Sequence, residues 1–107
     1  MPQVLATGYL VGLAEWTCMQ ALEGHLDKGE CTLGIHVDLS HEAPTPPGRT
    51  LSIVAELAKA EGRILTFEVT ASDAAVVCRG THRRAVIDLD RFEKKLAART
   101  ADGQVPA

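Results

Sequence analysis

The segment Thr7 to Leu22, TGYLVGLAEWTCMQAL, carries one charged residue, Glu15, and so does the whole stretch from Met1 to Leu22. Apolar residues occupy most positions around the cylinder of the predicted helix, which is typical of a helix surrounded by protein. An ionised carboxylate in apolar surroundings is costly unless it gains a partner, shifts its pKa or faces water. The sequence therefore predicts a long central helix, from Gly8 to about Leu26, and requires an explanation for Glu15.

Four stretches after this helix alternate apolar and polar residues, which is the pattern of half-buried strands. They lie at residues 31–40, 51–57, 65–71 and 76–87. The first keeps strict alternation from Cys31 to Leu39, the proline-rich segment HEAPTPPGR ends it, and AEGR and SDAA read as turns. The short connections predict an antiparallel meander whose apolar face packs on the helix, an α+β fold. Asp90 and Glu93 resemble the start of a last helix.

Composition limits the classes of function. With 107 residues the chain is one domain, predicted to span residues 1–99, with a flexible tail at 100–107. The formal net charge of −3 and the scattered basic residues argue against nucleic acid or an anionic membrane as a partner. The three cysteines, without metal-ligand spacing, are expected to be reduced thiols in a cytoplasmic protein. Because four strands cannot cover every side of the helix, we expect a homodimer or tetramer.

Several segments together resemble a known family. The segments VLATGYLVGLAEWTC, SHEAPTPPG, EGRILTFEVTASD and GTHRRAVIDLDRFEKKL are similar, in order and spacing, to the fluoroacetyl-coenzyme A thioesterase type of the hotdog-fold thioesterases. The resemblance implies a hotdog fold, in which a curved antiparallel sheet wraps a long helix and subunits dimerise. Family members carry a first strand before the segments that match here, so the resemblance implies a hotdog fold whose first strand is missing from this sequence.

The resemblance also implies site residues. The catalytic Thr, Glu and His of the family match Thr7, Glu15 and His41, which in the family surround the thioester and come from both subunits. The residues alone leave alternatives open, because Thr7 is also a good helix N-cap, Glu15 an ion-paired or water-facing acid and His41 a surface histidine. His82 is ambiguous, and His25 and His36 are expected to be structural or solvated.

Four further residues are predicted to bind substrate: Leu5, Gly8, Gly34 and Arg83. Leu5 stands where the fluoroacetyl type has an aromatic residue, so we expect a broader range of acyl groups. Gly34, in a strand, is expected to mark a close approach of its backbone to ligand or helix. Arg83 is one of five basic residues suited to the phosphates of coenzyme A; the others are Arg49, Lys59, Arg79 and Arg84.

These expectations lead to one function, hydrolysis of a short-chain acyl-CoA thioester without a metal or other cofactor. Whether Thr7 attacks the thioester, or positions it or a water, is left open, and so is the choice between base and nucleophile for Glu15. Two alternatives are a non-catalytic hotdog module that binds an acyl group or other small ligand, and a hotdog dehydratase.

Overall fold

The computed structural model describes residues 3–101, which form two helices and one four-stranded antiparallel sheet. The predicted α+β class is therefore confirmed. Neither helix in this part of the chain is long and apolar enough to cross a membrane. The elements follow one another as α1 (Thr7–Leu22), β1 (Glu30–His41), β2 (Ser52–Glu61), β3 (Ile64–Ser72), β4 (Val76–Asp88) and α2 (Leu89–Ala101).

The strands lie in the order β1-β4-β3-β2, so the predicted meander is correct only for β2, β3 and β4. The hairpin between β2 and β3 turns through Gly62 and Arg63, as the AEGR segment predicted. The proline-rich connection instead carries the chain past the ends of β4 and β3 to the opposite edge of the sheet. Its first residue is fixed by a hydrogen bond from the Glu42 N–H to the Val77 carbonyl, so β1 pairs with β4 and becomes an edge strand.

Helix α1 packs on one face of this sheet. Its buried residues recur at every fourth position, which places them along one stripe of the helix. They are Leu10, Ala14, Cys18 and Leu22, and they pack in two clusters with Phe67, Val69, Ala71, Val77 and Cys78 of β3 and β4. The expectation of a helix enclosed on most sides fails within a single chain, because Tyr9 is 65% exposed and Trp16 is 56% exposed.

The ends of α1 differ from the predictions. Ala6 is the N-cap and makes no side-chain capping bond, so the expectation that Thr7 caps the helix is wrong and Thr7 is its first residue. The helix also ends at Leu22 instead of Leu26. Gly24 then has a φ of +82°, a left-handed conformation that takes the chain out of the helix at little cost for glycine.

A β-bulge interrupts β1 between Gly34 and His36 and leaves Ile35 without a cross-strand partner in β4. The strict alternation predicted for this strand is therefore wrong at its centre. Before the bulge Gly34 pairs with Arg84, and after it Val37 pairs with His82. Because cross-strand partners share a face, even-numbered residues face α1 before the bulge and odd-numbered residues face it afterwards.

Helix α2 begins where β4 ends. The Asp88 carboxylate accepts a hydrogen bond of 3.0 Å from the Arg91 N–H, so Asp88 caps this helix and the predicted cap, Asp90, lies inside its first turn. The sequence signal was correct in type but two residues late. The predicted tail begins at Thr100, which is still helical; residues 102–107 lie outside the described part of the chain.

Candidate active site

Thr7 and His41 form a hydrogen-bonded pair at the N-terminus of α1. The Thr7 hydroxyl oxygen lies 2.8 Å from Nδ1 of His41, although 34 residues separate them in the sequence. Strand β1 ends at His41, whose pairing with Cys78 of β4 fixes the backbone beneath the ring. The other ring nitrogen, Nε2, is buried and has no hydrogen-bond partner among residues 3–101. When Nδ1 accepts from the hydroxyl, Nε2 carries the ring hydrogen, and His41 is arranged to receive the Thr7 proton.

The first turn of α1 offers backbone N–H groups beside this pair. The Leu10 N–H donates to the Ala6 carbonyl, so the N–H groups of Thr7, Gly8 and Tyr9 precede the regular helical bonds. A Cβ added to Gly8 would meet no atom within 4 Å, so the space over this turn is open. Free N–H groups and the helix dipole stabilise negative charge, which makes the turn suitable for an oxyanion.

A pocket of about 330 Å³ includes the pair, and a pocket of about 450 Å³ shares Val4 and Leu5 with it. Leu5 is half-buried, and its N–H donates to the Thr45 carbonyl at 3.0 Å, which ties the chain before α1 to the proline-rich loop. The smaller pocket holds the pair itself and is lined by Val4, Leu5, Ala6, Thr7, His41, Glu42, Ala43 and Pro44. Leu5 therefore lies between the pocket that contains the pair and the larger pocket under the proline-rich loop.

Glu15 is not an isolated carboxylate. Its Oε2 atom accepts a hydrogen bond of 3.0 Å from Nη1 of Arg84, which comes from β4 and is only 3% exposed. The Glu15 side chain is 44% exposed, so the carboxylate faces Arg84 on one side and solvent on the other. The ion-paired alternative left open by the sequence is thus present. The ion pair with a buried guanidinium compensates for the cost of placing a charge in an apolar helix.

Gly34 makes room for this ion pair. A Cβ added to Gly34 would overlap Oε2 of Glu15, and it would lie 3.2 Å from the His82 ring and 3.3 Å from Nη1 of Arg84. The expected close approach at Gly34 is therefore present, toward a side chain of α1. Any larger residue here would displace the Glu15 carboxylate.

The guanidinium of Arg84 is held from the side opposite Glu15. Its Nε atom donates to the Thr32 hydroxyl at 2.8 Å, and Nη2 donates to the Thr32 carbonyl at 3.0 Å. Nη1 lies 3.1 Å from Nε2 of His82, whose Nδ1 lies 2.9 Å from the His36 carbonyl oxygen. Several hydrogen bonds therefore fix the position and orientation of the Arg84 guanidinium.

The predicted site residues thus fall into two groups on the same side of the sheet. Thr7 and His41 are in direct contact, while Glu15 lies eight residues further along α1 with Gly34 and Arg84. No hydrogen bond within residues 3–101 joins Glu15 to either member of the pair. Arg83 is exposed and, by strand alternation, points to the opposite side of β4 from Arg84.

Arg84, His82 and Thr32 are the site residues that sequence reasoning did not select. The segment THRRAV contains two adjacent arginines, and in a strand only one of them can face the core. Val86 shares a face with His82 and Arg84, so its position favours burial of Arg84. The apolar residues Ala85 and Ile87 lie on the other face and favour burial of Arg83 instead. Contacts with Thr32 and Glu15, which are distant in the sequence, determine which arginine is buried. A local sequence pattern carries no information on these contacts.

A second carboxylate lies next to His41 in the sequence. Glu42 Oε2 accepts from the Ser40 hydroxyl at 2.6 Å and from Arg79 at 2.9 Å. The Ser40 hydrogen bond, aided by Arg79, holds the pKa of Glu42 below its ordinary value of 4.5. Burial raises the pKa of Cys18, behind Glu15, to about 11, so this thiol is not a nucleophile. Residues 3–101 contain no cluster of three His, Cys, Asp or Glu side chains suited to a metal ion.

Comparison with known proteins places these residues in a family context. Residues 1–90 match the family described as fluoroacetyl-CoA-specific thioesterase, FlK. The fluoroacetyl-CoA thioesterase of Streptantibioticus cattleyicolor is 45% identical over 103 residues, which are 95% of this chain and 74% of the relative. A solved variant of FlK in complex with acetyl-CoA has a TM-score of 0.87 and 44% identity, with 94% of this chain and 76% of that chain covered.

A more distant structure bears on the fold alone. The hot-dog-like protein from Thermanaerovibrio acidaminovorans has a TM-score of 0.87 with 20% identity, covering 91% of this chain and 73% of that chain. The hotdog expectation is thereby confirmed for the described elements, one long helix packed on a four-stranded antiparallel sheet. Match length, identity and fold agree, and we conclude that this chain belongs to the fluoroacetyl-CoA-specific thioesterase family of hotdog-fold proteins.

Proposed function

We propose that the protein hydrolyses short-chain acyl-CoA thioesters to the free acid and coenzyme A. The observation that carries this proposal is the 2.8 Å contact between Thr7 and His41 at an open helix N-terminus. Family membership supports the substrate class, since a relative is a fluoroacetyl-CoA thioesterase and a related structure holds acetyl-CoA. We place the activity in the cytoplasm, where thiols such as Cys18 stay reduced.

The proposed chemistry begins with the thioester carbonyl over the first turn of α1. His41 takes the Thr7 proton as the hydroxyl oxygen attacks the carbonyl carbon, and the resulting oxyanion faces the N–H groups of that turn. The carbon–sulfur bond then breaks, and coenzyme A leaves with the proton from His41. Water then attacks the Thr7 ester while a base takes one of its protons; the bond to the Thr7 oxygen breaks, the acid leaves, and that proton returns to the Thr7 oxygen. In the alternative that the residues leave open, Thr7 orients a water that attacks directly.

Glu15 is proposed as the carboxylate of the reaction, either as the base for water or as a second nucleophile. Its half-exposed side chain supports this role, because solvent reaches the carboxylate. Its separation from Thr7 and His41 within one chain supports a site completed by a second copy. Arg83, exposed on β4, is proposed to meet the phosphates of coenzyme A.

The second copy is proposed to cover the exposed side of α1 and the edge strand β1. Tyr9 and Trp16 are exposed on the helix, and Ile35 and Val37 are about half exposed on β1. The two surfaces are continuous, since Trp16 and Cys31 line one pocket of about 430 Å³. An apolar helix face beside an edge strand with unpaired backbone groups favours pairing with another chain, here a homodimer or a tetramer of dimers.

Release of free thiol from a panel of acyl-CoA substrates tests the proposal. We expect acetyl-, propionyl- and fluoroacetyl-CoA to be hydrolysed with catalytic efficiencies within about 100-fold of each other, because the pocket beside Leu5 is apolar. Saturable binding without turnover would support the non-catalytic module. Hydration of an enoyl-CoA without thiol release would support the dehydratase. A preference for fluoroacetyl-CoA above about a thousandfold would contradict the proposed role of Leu5.

A further inference from the structure

A buried histidine lies behind the Glu15–Arg84 ion pair and takes no part in the proposed chemistry. His82 is 1% exposed, and its ring lies between the His36 carbonyl and the Arg84 guanidinium. Nε2 of His82 is 3.7 Å from Oε2 of Glu15, which is too far for a hydrogen bond. On the side that faces Glu15, His82 therefore contacts Arg84 and not the carboxylate.

The partners of the two ring nitrogens assign the protonation of His82. A carbonyl oxygen only accepts, so Nδ1 carries the hydrogen and donates to His36. A guanidinium only donates, so Nε2 has a free lone pair and accepts from Nη1 of Arg84. A second ring proton would direct a charged N–H against a charged N–H inside the protein. The two partners therefore fit a ring with its hydrogen on Nδ1 and a lone pair on Nε2.

This tautomer makes His82 the group that, together with Thr32, determines where Arg84 points. Thr32 accepts from Nε and Nη2, and His82 accepts from Nη1, the same nitrogen that donates to Glu15. An arginine held at all three nitrogens cannot turn away from the carboxylate. A carboxylate oxygen held by a fixed donor keeps one position, which is the condition for reaction at a defined distance.

We propose that His82 is a positioning residue, which acts through Arg84 to fix the Glu15 carboxylate. This inference rests on the proposed function, because it assigns Glu15 a position that turnover requires. The proposed role depends on one feature of His82, the lone pair on Nε2. Removing that acceptor should lower kcat while KM changes little, since His82 touches no substrate.

Two substitutions separate the ring nitrogens. The terminal amide of Gln reaches the place of Nε2, so His82→Gln keeps an acceptor for Arg84. The shorter Asn reaches only the place of Nδ1, so His82→Asn keeps the bond to His36 and loses the acceptor. We expect His82→Asn to lower kcat by tenfold to about 100-fold and His82→Gln to retain most of it. The reverse order would overturn the proposal and leave His82 as an anchor for β1.

Thr32 provides a second, independent pair of variants. Thr32→Ser keeps the hydroxyl that accepts from Arg84, whereas Thr32→Val keeps the shape and loses the acceptor. The proposal predicts a fall in kcat for valine and rescue by serine, with folding of both checked by thermal unfolding. Equal kcat in the two variants would contradict a positioning network. The exposed His36→Gln serves as a control, because only the backbone of His36 takes part.

Nitrogen-15 spectroscopy of the histidine rings gives a readout that does not depend on activity. We expect His82 to be neutral with its hydrogen on Nδ1, and its Nε2 signal to move in the Thr32→Val variant. An active enzyme whose His82 carries the hydrogen on Nε2 would overturn this inference alone. A folded wild type that hydrolyses no acyl-CoA would instead remove the proposed function, and the positioning role with it.

Discussion

At the scale of single residues, the helix cap decides what the Thr7 hydroxyl can do. Ala6 occupies the cap position and offers no side-chain acceptor, so Thr7 is the first helical residue and its hydroxyl is not used by a backbone N–H. It contacts His41 instead. A threonine at the cap would satisfy a helix end, whereas the hydroxyl of a threonine one position later is left to bond the imidazole.

The ion pair with Arg84 determines what we expect from substitution of Glu15. Glu15→Gln removes the negative charge opposite the buried Arg84, so the free energy of unfolding should fall by about 1–3 kcal/mol. Turnover should fall by about 100-fold if the carboxylate takes part in the reaction. Thermal unfolding and thiol release are measured on one preparation, with the exposed Glu23→Gln as the control. Reduced stability with full turnover would restrict Glu15 to the ion pair.

The site residues show what a single sequence can and cannot predict. The resemblance proposed Thr7, His41 and Glu15 as site residues, but it did not predict the contact between Thr7 and His41 within one chain. The role of Arg84 was not predicted, because its burial depends on Thr32 and Glu15, which lie 52 and 69 residues away. Local alternation sets the phase of a strand only when one face is clearly apolar, and β4 has apolar residues on both faces.

At the scale of elements, one bulge gives β1 its two functions. Without the extra residue at Ile35, a strand that presents Gly34 to α1 would point His41 away from it. The bulge changes the parity, so β1 contributes Gly34 and Thr32 to the Glu15 group and His41 to the Thr7 pair. Alternation in the sequence located the strand correctly. It could not show the bulge, since the pairing with β4 determines it.

Helix α2 offers a direct test of the corrected cap. Asp88→Ala removes the acceptor for the Arg91 N–H and should lower the stability of the helix by about 1 kcal/mol. Asp90→Ala is the matched control, because Asp90 lies in the first turn and contributes only a weaker interaction with the helix dipole. Backbone chemical shifts and urea unfolding report the difference. A larger loss from Asp90→Ala would restore the cap that the sequence pattern predicted.

At the scale of the whole molecule, the two sides of α1 have different surroundings. One stripe is fully packed on the sheet, while Tyr9, Trp16 and Met19 are exposed beside the edge strand β1. The sequence predicted both an apolar helix surrounded by protein and a sheet too small to cover it, and the exposed residues Tyr9 and Trp16 agree with the second expectation. Because a single four-stranded sheet covers one face, the exposed face is where we propose that a second copy packs.

The proposed dimer is tested by charges on the two edges of the sheet. Ile35→Lys places a charge on β1 at a residue that is 50% exposed and has no cross-strand partner. Val54→Lys makes the same change on the opposite edge strand, β2, at a residue that is 51% exposed. We expect sedimentation at micromolar concentration to show a dimer for wild type and Val54→Lys, and a monomer for Ile35→Lys. Dissociation by Val54→Lys alone would place the interface on the other edge.

The central claim, that acyl-CoA hydrolysis takes place at the Thr7–His41 pair, is tested most directly by a double-mutant cycle on kcat/KM. Thr7→Val removes the hydroxyl while keeping its shape, and His41→Gln removes the nitrogen that the hydroxyl contacts. Groups that act as a unit are not additive, so each single variant should lose about 100-fold or more, and the double variant should lose no more than the worse single. Losses that multiply in the double variant, or a single variant with near wild-type kcat/KM, would contradict the account.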